Sequence, residues 1–340
     1  MISSHEQAGA SSRGARRAVI RGLGAALPAK VVTNDDLSRV HDTSDEWIQR
    51  RTGIRERRHA ADGEQTSDLA ILAARRALES AGAERAELVV LATTTPDKVC
   101  PATAPKVAAV LGLAGVPAFD VSAVCSGFLY ALATAAWAIE SGSIQSALVI
   151  GAETFTRLLD PVDRTTAVIF GDGAGAVHLE SGSEAEPGAV LMTRLYADGT
   201  DEELIHVPQP DDGAQGSYFQ MNGREVFTKA VEAMSASVDS VLGEIGWRRD
   251  EVDALIAHQA NLRILTAVAH IAGLEAADAE IHLDRVGNTS AASIPLAMAA
   301  AAAAGRRRPG DRVVLTAFGG GTTWGAAALT WPELAVIDPH

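Results

Sequence analysis

Residues 118–140 read AFDVSAVCSGFLYALATAAWAIE. Ala118–Val121 is a short apolar run with strand character, and Phe128–Glu140 is rich in strong helix formers. Between them Val121-Ser122-Ala123-Val124-Cys125-Ser126-Gly127 places one thiol at a strand-to-helix elbow. The unpaired N–H groups and the dipole at a helix start favour thiolate, so the Cys125 pKa is expected below the free value of about 8.5. Its small neighbours Ser122, Ala123, Ser126 and Gly127 let a substrate carbonyl approach. Nucleophilic acyl transfer is the natural use of such a thiol. Taken alone, a cysteine among small residues reads equally as a small buried hydrophobe.

Outward from this elbow the pattern repeats. Strands are expected at Ala18–Gly24 and Leu88–Thr94, and helices at Thr66–Gly82 and Ala102–Leu111. The second half returns to the theme: helices Gly223–Ile245, Leu262–Ala272 and Ala291–Gly305, strands Val252–His258 and Arg312–Ala317. Strands alternating with helices give a layered α/β fold, here with a duplicated unit. The polar stretch Ser181–Gly188 marks the join, which divides the chain into a flexible segment 1–17 and two halves, 18–185 and 186–340. A second acidic, Pro- and Gly-rich stretch, Asp198–Gln215, is long enough to be a lid or a pocket wall.

Composition narrows the function. With 340 residues, 47% hydrophobic and 21% charged, the chain has ample core material and ordinary globular balance. Its longest Ala-rich run, Ser290–Gly305, is too short to span a bilayer, and residues 1–17 lack the apolar centre of a signal peptide, so no membrane contact is expected. The net charge of -14 repels polyanions and argues against nucleic acid. Two cysteines, Cys100 and Cys125, form no CxxC pair, which fits a reducing cytoplasm. No HExxH or clustered ligand spacing suggests a metal. Gly22-Leu23-Gly24-Ala25-Ala26-Leu27 lacks the third glycine of a dinucleotide fingerprint, and Gly171–Gly175 has no P-loop lysine. No cofactor is expected beyond thioester substrates.

Cys125 has company. His258 ends the apolar run Val252–Ala257, and Asn288 lies in Gly287-Asn288-Thr289-Ser290 before the next helix. Singly they read as a structural histidine and a helix cap. Together VCSG, HQANLRI (His258–Ile264), RVGNTSAAS (Arg285–Ser293) and FGGGTTWG (Phe318–Gly325) resemble the β-ketoacyl-acyl carrier protein synthase III enzymes, which belong to the thiolase-like condensing enzymes. The resemblance runs from about residue 18 to 332, including DTSDEWIQRRTGI (Asp42–Ile54) and DPVDRTTAVIFGDGAGAV (Asp160–Val177). It implies a five-layered αβαβα fold of two related halves, a homodimer and a triad of Cys125, His258 and Asn288. It further implies acyl-CoA and malonyl-thioester substrates and an acyl carrier protein partner.

The chemistry needs these residue types. A Cys125 thiolate attacks an acyl thioester while backbone N–H groups of Cys125 and of Gly320, in the turn Gly319–Gly321, hold the oxyanion. The enolate left by malonyl decarboxylation then needs two donors, His258 Nε2 and Asn288 Nδ2. The resemblance also implies that Asn261 bonds the phosphopantetheine arm, that Trp47 and Arg164 sandwich the adenine of coenzyme A with Arg51 beside it, and that Phe318 lines the substrate site. Arg263 is the foremost candidate for carrier docking; Arg224, Lys229, Arg248 and Arg249 are weaker, because a charged helix face is usually just solvated, and the family often has a lysine at the position of Thr228, one step before Lys229 and about 100° away on a helix. Cys100 stands where a residue crosses the dimer to cap the partner's acyl pocket, commonly a phenylalanine in acetyl-specific members. The smaller side chain leaves room for a longer acyl group. The alternatives are a specialised-metabolism (polyketide or quinolone-type) ketosynthase, an acyltransferase using the triad without decarboxylation, or a non-catalytic partner subunit, which retention of all three residues argues against.

Overall fold

The computed structural model of the chain describes residues 16–209, 217–275 and 278–334. One sheet has the strand order Arg16–Ala26, Gly173–Ser183, Ser146–Glu153, Val89–Ala92, Ala118–Val121. A second has the order Ala254–Ala257, Arg312–Gly319, Thr323–Thr330, Val190–Ala197. Helix Thr66–Ala81 covers the outer face of the first sheet, and Gly223–Ile245 and Leu262–Ile271 cover the second. Between the sheets lie Gly127–Glu140 and Ser293–Ala303, giving the five-layered thiolase-like arrangement. A helix with sheets on both sides has little solvent face, which is why these two are mainly apolar and rich in alanine, with Trp137 left exposed on the first of them.

The expected elements fall close to their places, with instructive exceptions. Arg16 and Arg17 belong to the first strand, pairing with Ser183 and Gly182, so the segment expected to be flexible through residue 17 is ordered from Arg16. Residues 1–15 lie outside the described residues. The stretch Ser181–Gly188 does not break the first sheet at once: its strand runs on to Ser183, and the next strand starts at Val190. The expected helix Ala291–Gly305 is split, a 3-10 turn Ser290–Ala292 preceding helix Ser293–Ala303. Ser290 at φ +47 interrupts the helical path. Of Asp198–Gln215, residues 199–204 form a 3-10 turn and Ile205–His206 pairs with Gln220–Met221, while 210–216 lie outside the described residues.

Glycine on the first sheet sets how near the central helix can come. A Cβ on Gly151 would lie 2.3 Å from the carbonyl oxygen of Ala291, a backbone atom that cannot rotate away. Gly151→Ala is therefore expected to destabilise by about 3 kcal/mol or more through overpacking, read as a lowered denaturation midpoint. An unchanged midpoint would show that the layers are looser than drawn.

Candidate active site

Cys125 sits in the 3-10 turn Val124–Ser126, between strand Ala118–Val121 and helix Gly127–Glu140. The elbow is as expected, but its electrostatics are not. Cys125 is 8% exposed, and burial pushes its thiol up to about 12. The Ser290 hydroxyl pulls the other way by supporting the thiolate, and the charge of Glu153 adds to the rise. The expected low pKa is thus corrected: at rest the nucleophile is a neutral thiol, because desolvation outweighs the helix end.

The turn is fixed from both sides. Ser126 Oγ donates to the Ala123 carbonyl at 2.9 Å and shares a hydrogen bond of 2.7 Å with Thr323 Oγ1. A Cβ on Gly319 would lie 2.8 Å from the Cys125 nitrogen, so the glycine turn and the nucleophile backbone approach as only glycine permits. This brings Gly319 against the Cys125 backbone, while Gly320 packs against Ile205.

His258 follows strand Ala254–Ala257, its N–H donating to the Thr316 carbonyl at 2.8 Å. It is 3% exposed, and burial holds its imidazole down to about 3, hence neutral. Nδ1 lies 2.6 Å from Ser293 Oγ, and that oxygen also accepts from the Gln259 N–H at 3.4 Å. The tautomer in which Ser293 donates to Nδ1 has its hydrogen on Nε2, which makes that atom a donor. Asn288, 5% exposed, accepts the Ser290 N–H on Oδ1 at 2.8 Å. With its oxygen committed, Nδ2 is the free donor. It lines a cavity of about 530 Å³ with Arg51, Phe227, Asn261 and Arg263.

These turns converge. The Cys125 turn packs on Ser290–Ala292 and on strand Arg312–Gly319, whose Thr316 also holds His258. Ser290, Ser293 and Glu153, which orient the site from behind, escaped sequence reasoning. The motif RVGNTSAAS contains both serines, but a serine before a helix signals a cap, not a contact to a histidine 35 positions away.

The binding residues divide. Trp47 carries Arg51 and Arg164 over its ring at 5.3 and 5.7 Å, and Arg164 also bonds the carbonyl of Asp42. Asn261 caps helix Leu262–Ile271 through the Arg263 N–H at 2.9 Å, and its Nδ2 donates to the Arg51 carbonyl at 3.1 Å. Arg263 lies 5.5 Å over Phe227. Among the described residues neither Arg263 nor Arg224 has a carboxylate partner, whereas Lys229 pairs with Asp201, Arg248 with Asp250 and Arg249 with Asp239. Phe318, 4% exposed, borders a different cavity with Lys229, Thr322 and Trp324. Cys100 is exposed. Its neighbours Lys98, Val99 and Ala102 line a cavity of about 690 Å³ that extends to Val124, beside the nucleophile, and is walled by Ile205–Gln209. The 205–209 part of the Asp198–Gln215 stretch is thus a pocket wall.

Known proteins share this sequence pattern and fold. Residues 119–199 match the family model for 3-oxoacyl-[acyl-carrier-protein] synthase III, and 242–331 match its C-terminal counterpart. The chain is 54% identical over 94% of its length to β-ketoacyl-[acyl-carrier-protein] synthase III 5 of Streptomyces coelicolor, covering 98% of that protein. Among solved structures, 3-oxoacyl-(acyl carrier protein) synthase III of Pseudomonas aeruginosa superposes with TM-score 0.91 at 48% identity, over 94% of this chain and 99% of that one. The priming β-ketosynthase of the R1128 polyketide biosynthetic pathway superposes with TM-score 0.90 at 31% identity, over 96% and 100%. From elbow to glycine turn, and across both halves, the chain belongs to the 3-oxoacyl-[acyl-carrier-protein] synthase III family.

Proposed function

We propose that this condensing acyltransferase loads an acyl group from acyl-CoA onto Cys125 and joins it to malonyl-acyl carrier protein by decarboxylative Claisen condensation, giving a 3-oxoacyl thioester. The observation that carries the reading is the pair of neutral, pre-oriented donors, His258 Nε2 and Asn288 Nδ2, whose other polar atoms are already committed. Such donors suit an enolate oxygen, whose negative charge develops only in the transition state.

The cycle uses each element once. Cys125 sulfur bonds the acyl carbon and gives up its proton, coenzyme A leaves as thiolate and takes up one proton in exchange, and the N–H groups of Cys125 and Gly320 hold the oxyanion; after condensation Cys125 departs as thiolate and regains its proton from water. Malonyl thioester enters by the cavity lined by Asn261 and Asn288; carbon dioxide departs and the carbanion attacks the acyl-Cys125 carbonyl. Arg51 and Arg164 against Trp47 provide a cationic, aromatic rest for the adenine. The unpaired Arg224 and Arg263 supply a basic rim for an acidic carrier protein. No helix among the described residues is long and apolar enough to cross a membrane, in keeping with a cytoplasmic enzyme. Strand Ala118–Val121 ends the first sheet, and Val99 beside Cys100 is fully exposed, as a homodimer interface would require before its partner is added.

A second reading, a specialised-metabolism ketosynthase primed by longer acyl groups, is favoured by the 690 Å³ cavity bordered by Lys98 and Val99, next to the small Cys100. One experiment addresses both. Labelled malonyl-acyl carrier protein and a series of acyl-CoA primers from two to eight carbons are expected to release carbon dioxide far faster with Cys125 acylated than without, and fastest above two carbons. Acyl transfer without carbon dioxide release defeats the condensation reading, and a strong preference for acetyl defeats the longer-primer reading.

A further inference from the structure

Among the described residues Arg57 is the largest fully buried side chain, and the cycle above gives it no part. Its guanidinium meets neutral acceptors: Nη1 donates to Asn34 Oδ1 at 2.8 Å and to the Val32 carbonyl at 3.3 Å, and Nη2 donates to the Val168 carbonyl at 2.7 Å. Nε is buried without a partner, and Glu56, its neighbour on strand Glu56–His59, faces Arg285 at 3.8 Å. A buried cation with no carboxylate beside it is costly to keep and invites a role.

Two of the three acceptors lead to the elements that carry the adenine rest. Asn34 passes the connection on: its Nδ2 donates to Asp45 Oδ1 at 2.8 Å, in the first turn of helix Asp45–Thr52, and to the Ile54 carbonyl at 2.8 Å just beyond that helix. This helix presents Trp47 and Arg51. Val168 closes the short helix Arg164–Ala167, which presents Arg164. The third acceptor, Val32, stands opposite Arg57 in the strand pair. Apolar packing at this place is slight: Val32, Leu37, Ile48 and Val168 form a cluster of their own, with Trp47 and Ile169 against it. So small a cluster leaves the mutual placement of the two helices to hydrogen bonds, and one planar fork of donors serves both.

We propose that Arg57 is a positioning residue for acyl-CoA, fixing helix Asp45–Thr52 against helix Arg164–Ala167 so that Trp47, Arg51 and Arg164 meet the adenine already arranged. The Trp47 ring takes Arg51 from its own helix at 5.3 Å and Arg164 from the other at 5.7 Å, so the mutual placement of the helices sets the width of the rest. Ordering the rest in advance lowers the cost of binding, so Arg57 acts on affinity for the nucleotide end and not on bond making. The inference rests on the proposed loading of Cys125 from acyl-CoA and names what holds the binding end of that substrate.

The reacting groups have anchors of their own. The Asn288 N–H donates to the Ile169 carbonyl at 2.9 Å, and the Asn288 carbonyl accepts the Gly171 N–H at 3.0 Å. His258 is held by Thr316 and Ser293, and the Cys125 turn by Ser126 and Thr323. Toward Asn288 Arg57 presents its Cβ, 3.1 Å from where a Cβ on Gly287 or Gly171 would stand. Lysine and methionine keep that carbon, so replacing the guanidinium should spare the chemistry.

The test is single-turnover acylation of Cys125, by intact-protein mass, with butyryl-CoA and with butyryl-pantetheine, which keeps the thioester arm and lacks the nucleotide. In the wild type the CoA ester should half-saturate at a concentration about tenfold lower than the pantetheine ester. Arg57→Met, of similar reach and without donors, should raise half-saturation by butyryl-CoA about tenfold, hold the saturating rate within about threefold and leave the pantetheine ester unchanged. Arg57→Lys, a point donor in place of a fork, should limit the rise to about threefold. Asp45→Ala, at a half-buried position, cuts the same connection next to the helix. It should raise half-saturation by butyryl-CoA about threefold with the pantetheine ester again unchanged, and it decides the question where Arg57→Met does not fold. Unchanged half-saturation by butyryl-CoA in these variants overturns the role. So does an equal loss with both esters alongside a lowered unfolding midpoint, the mark of a merely structural arginine. A wild type that takes both esters alike overturns the adenine rest and the part of Arg57 in it while leaving acyl loading in place; no acyl-Cys125 from either ester overturns the loading as well.

Discussion

Cys125→Ala is expected to accept no acyl group from acyl-CoA, with turnover falling on the order of 10⁶-fold, as when a covalent nucleophile is removed outright. The thiol is 8% exposed and lies in a tight turn anchored by Ser126 and Thr323, so losing one sulfur atom should leave the fold intact. Unfolding midpoint and mass in solution then serve as controls. The separation of half-reactions makes the result informative. His258 and Asn288 owe their positions to Thr316, Ser293 and Ser290, not to the sulfur, so the variant should still bind malonyl thioester and release carbon dioxide slowly without condensing. Intact-protein mass spectrometry reads the first half and labelled carbon dioxide the second. An acyl adduct on the alanine protein would transfer the nucleophilic role to another residue, the exposed Cys100 first.

How much of this was legible in the sequence depends on the range of the forces involved. The elbow was legible because strand, small residues and helix are local signals, and helix Gly223–Ile245 because its pattern stops at Gly246, left-handed at φ +72. Local signals also suggested a depressed Cys125 pKa, and there they misled. The helix end acts over one turn, whereas the burial that desolvates the thiol comes from layers far apart in sequence, the Gly319 turn and the turn Ser290–Ala292. The same distance hid Ser293, which reads as an ordinary pre-helix serine until the fold sets it 2.6 Å from His258. Surface cations show the converse. Arg224 and Lys229 look alike in NGREVFTKAV, yet Lys229 is tied to Asp201 while Arg224 lines the cavity with Asn261. Some surface cations of a net-negative chain are neutralised by carboxylates and others are not, and sequence cannot say which.

His258→Ala carries the second large effect, confined to the second half-reaction. Removing one pre-oriented donor to a developing oxyanion costs about 2.7–4 kcal/mol, so carbon dioxide release and condensation should fall about 10²- to 10³-fold while acyl loading stays within tenfold. Were His258 instead the base that activates Cys125, loading would fall with condensation, and both would show an inflection near the ordinary histidine pKa of about 6.5. The buried imidazole ring, with its pKa held down to about 3, titrates far below the working range and is neutral throughout it. The condensation profile of the wild type should therefore carry no histidine inflection between pH 5 and 9. Asn288→Ala should match His258→Ala in which half-reaction it slows. The double variant should cost less than the product of the two, because both donors serve one oxygen and the first loss already leaves it poorly held. Strict multiplicativity would mean that the two side chains act on different atoms, and the shared-oxygen geometry would have to be given up.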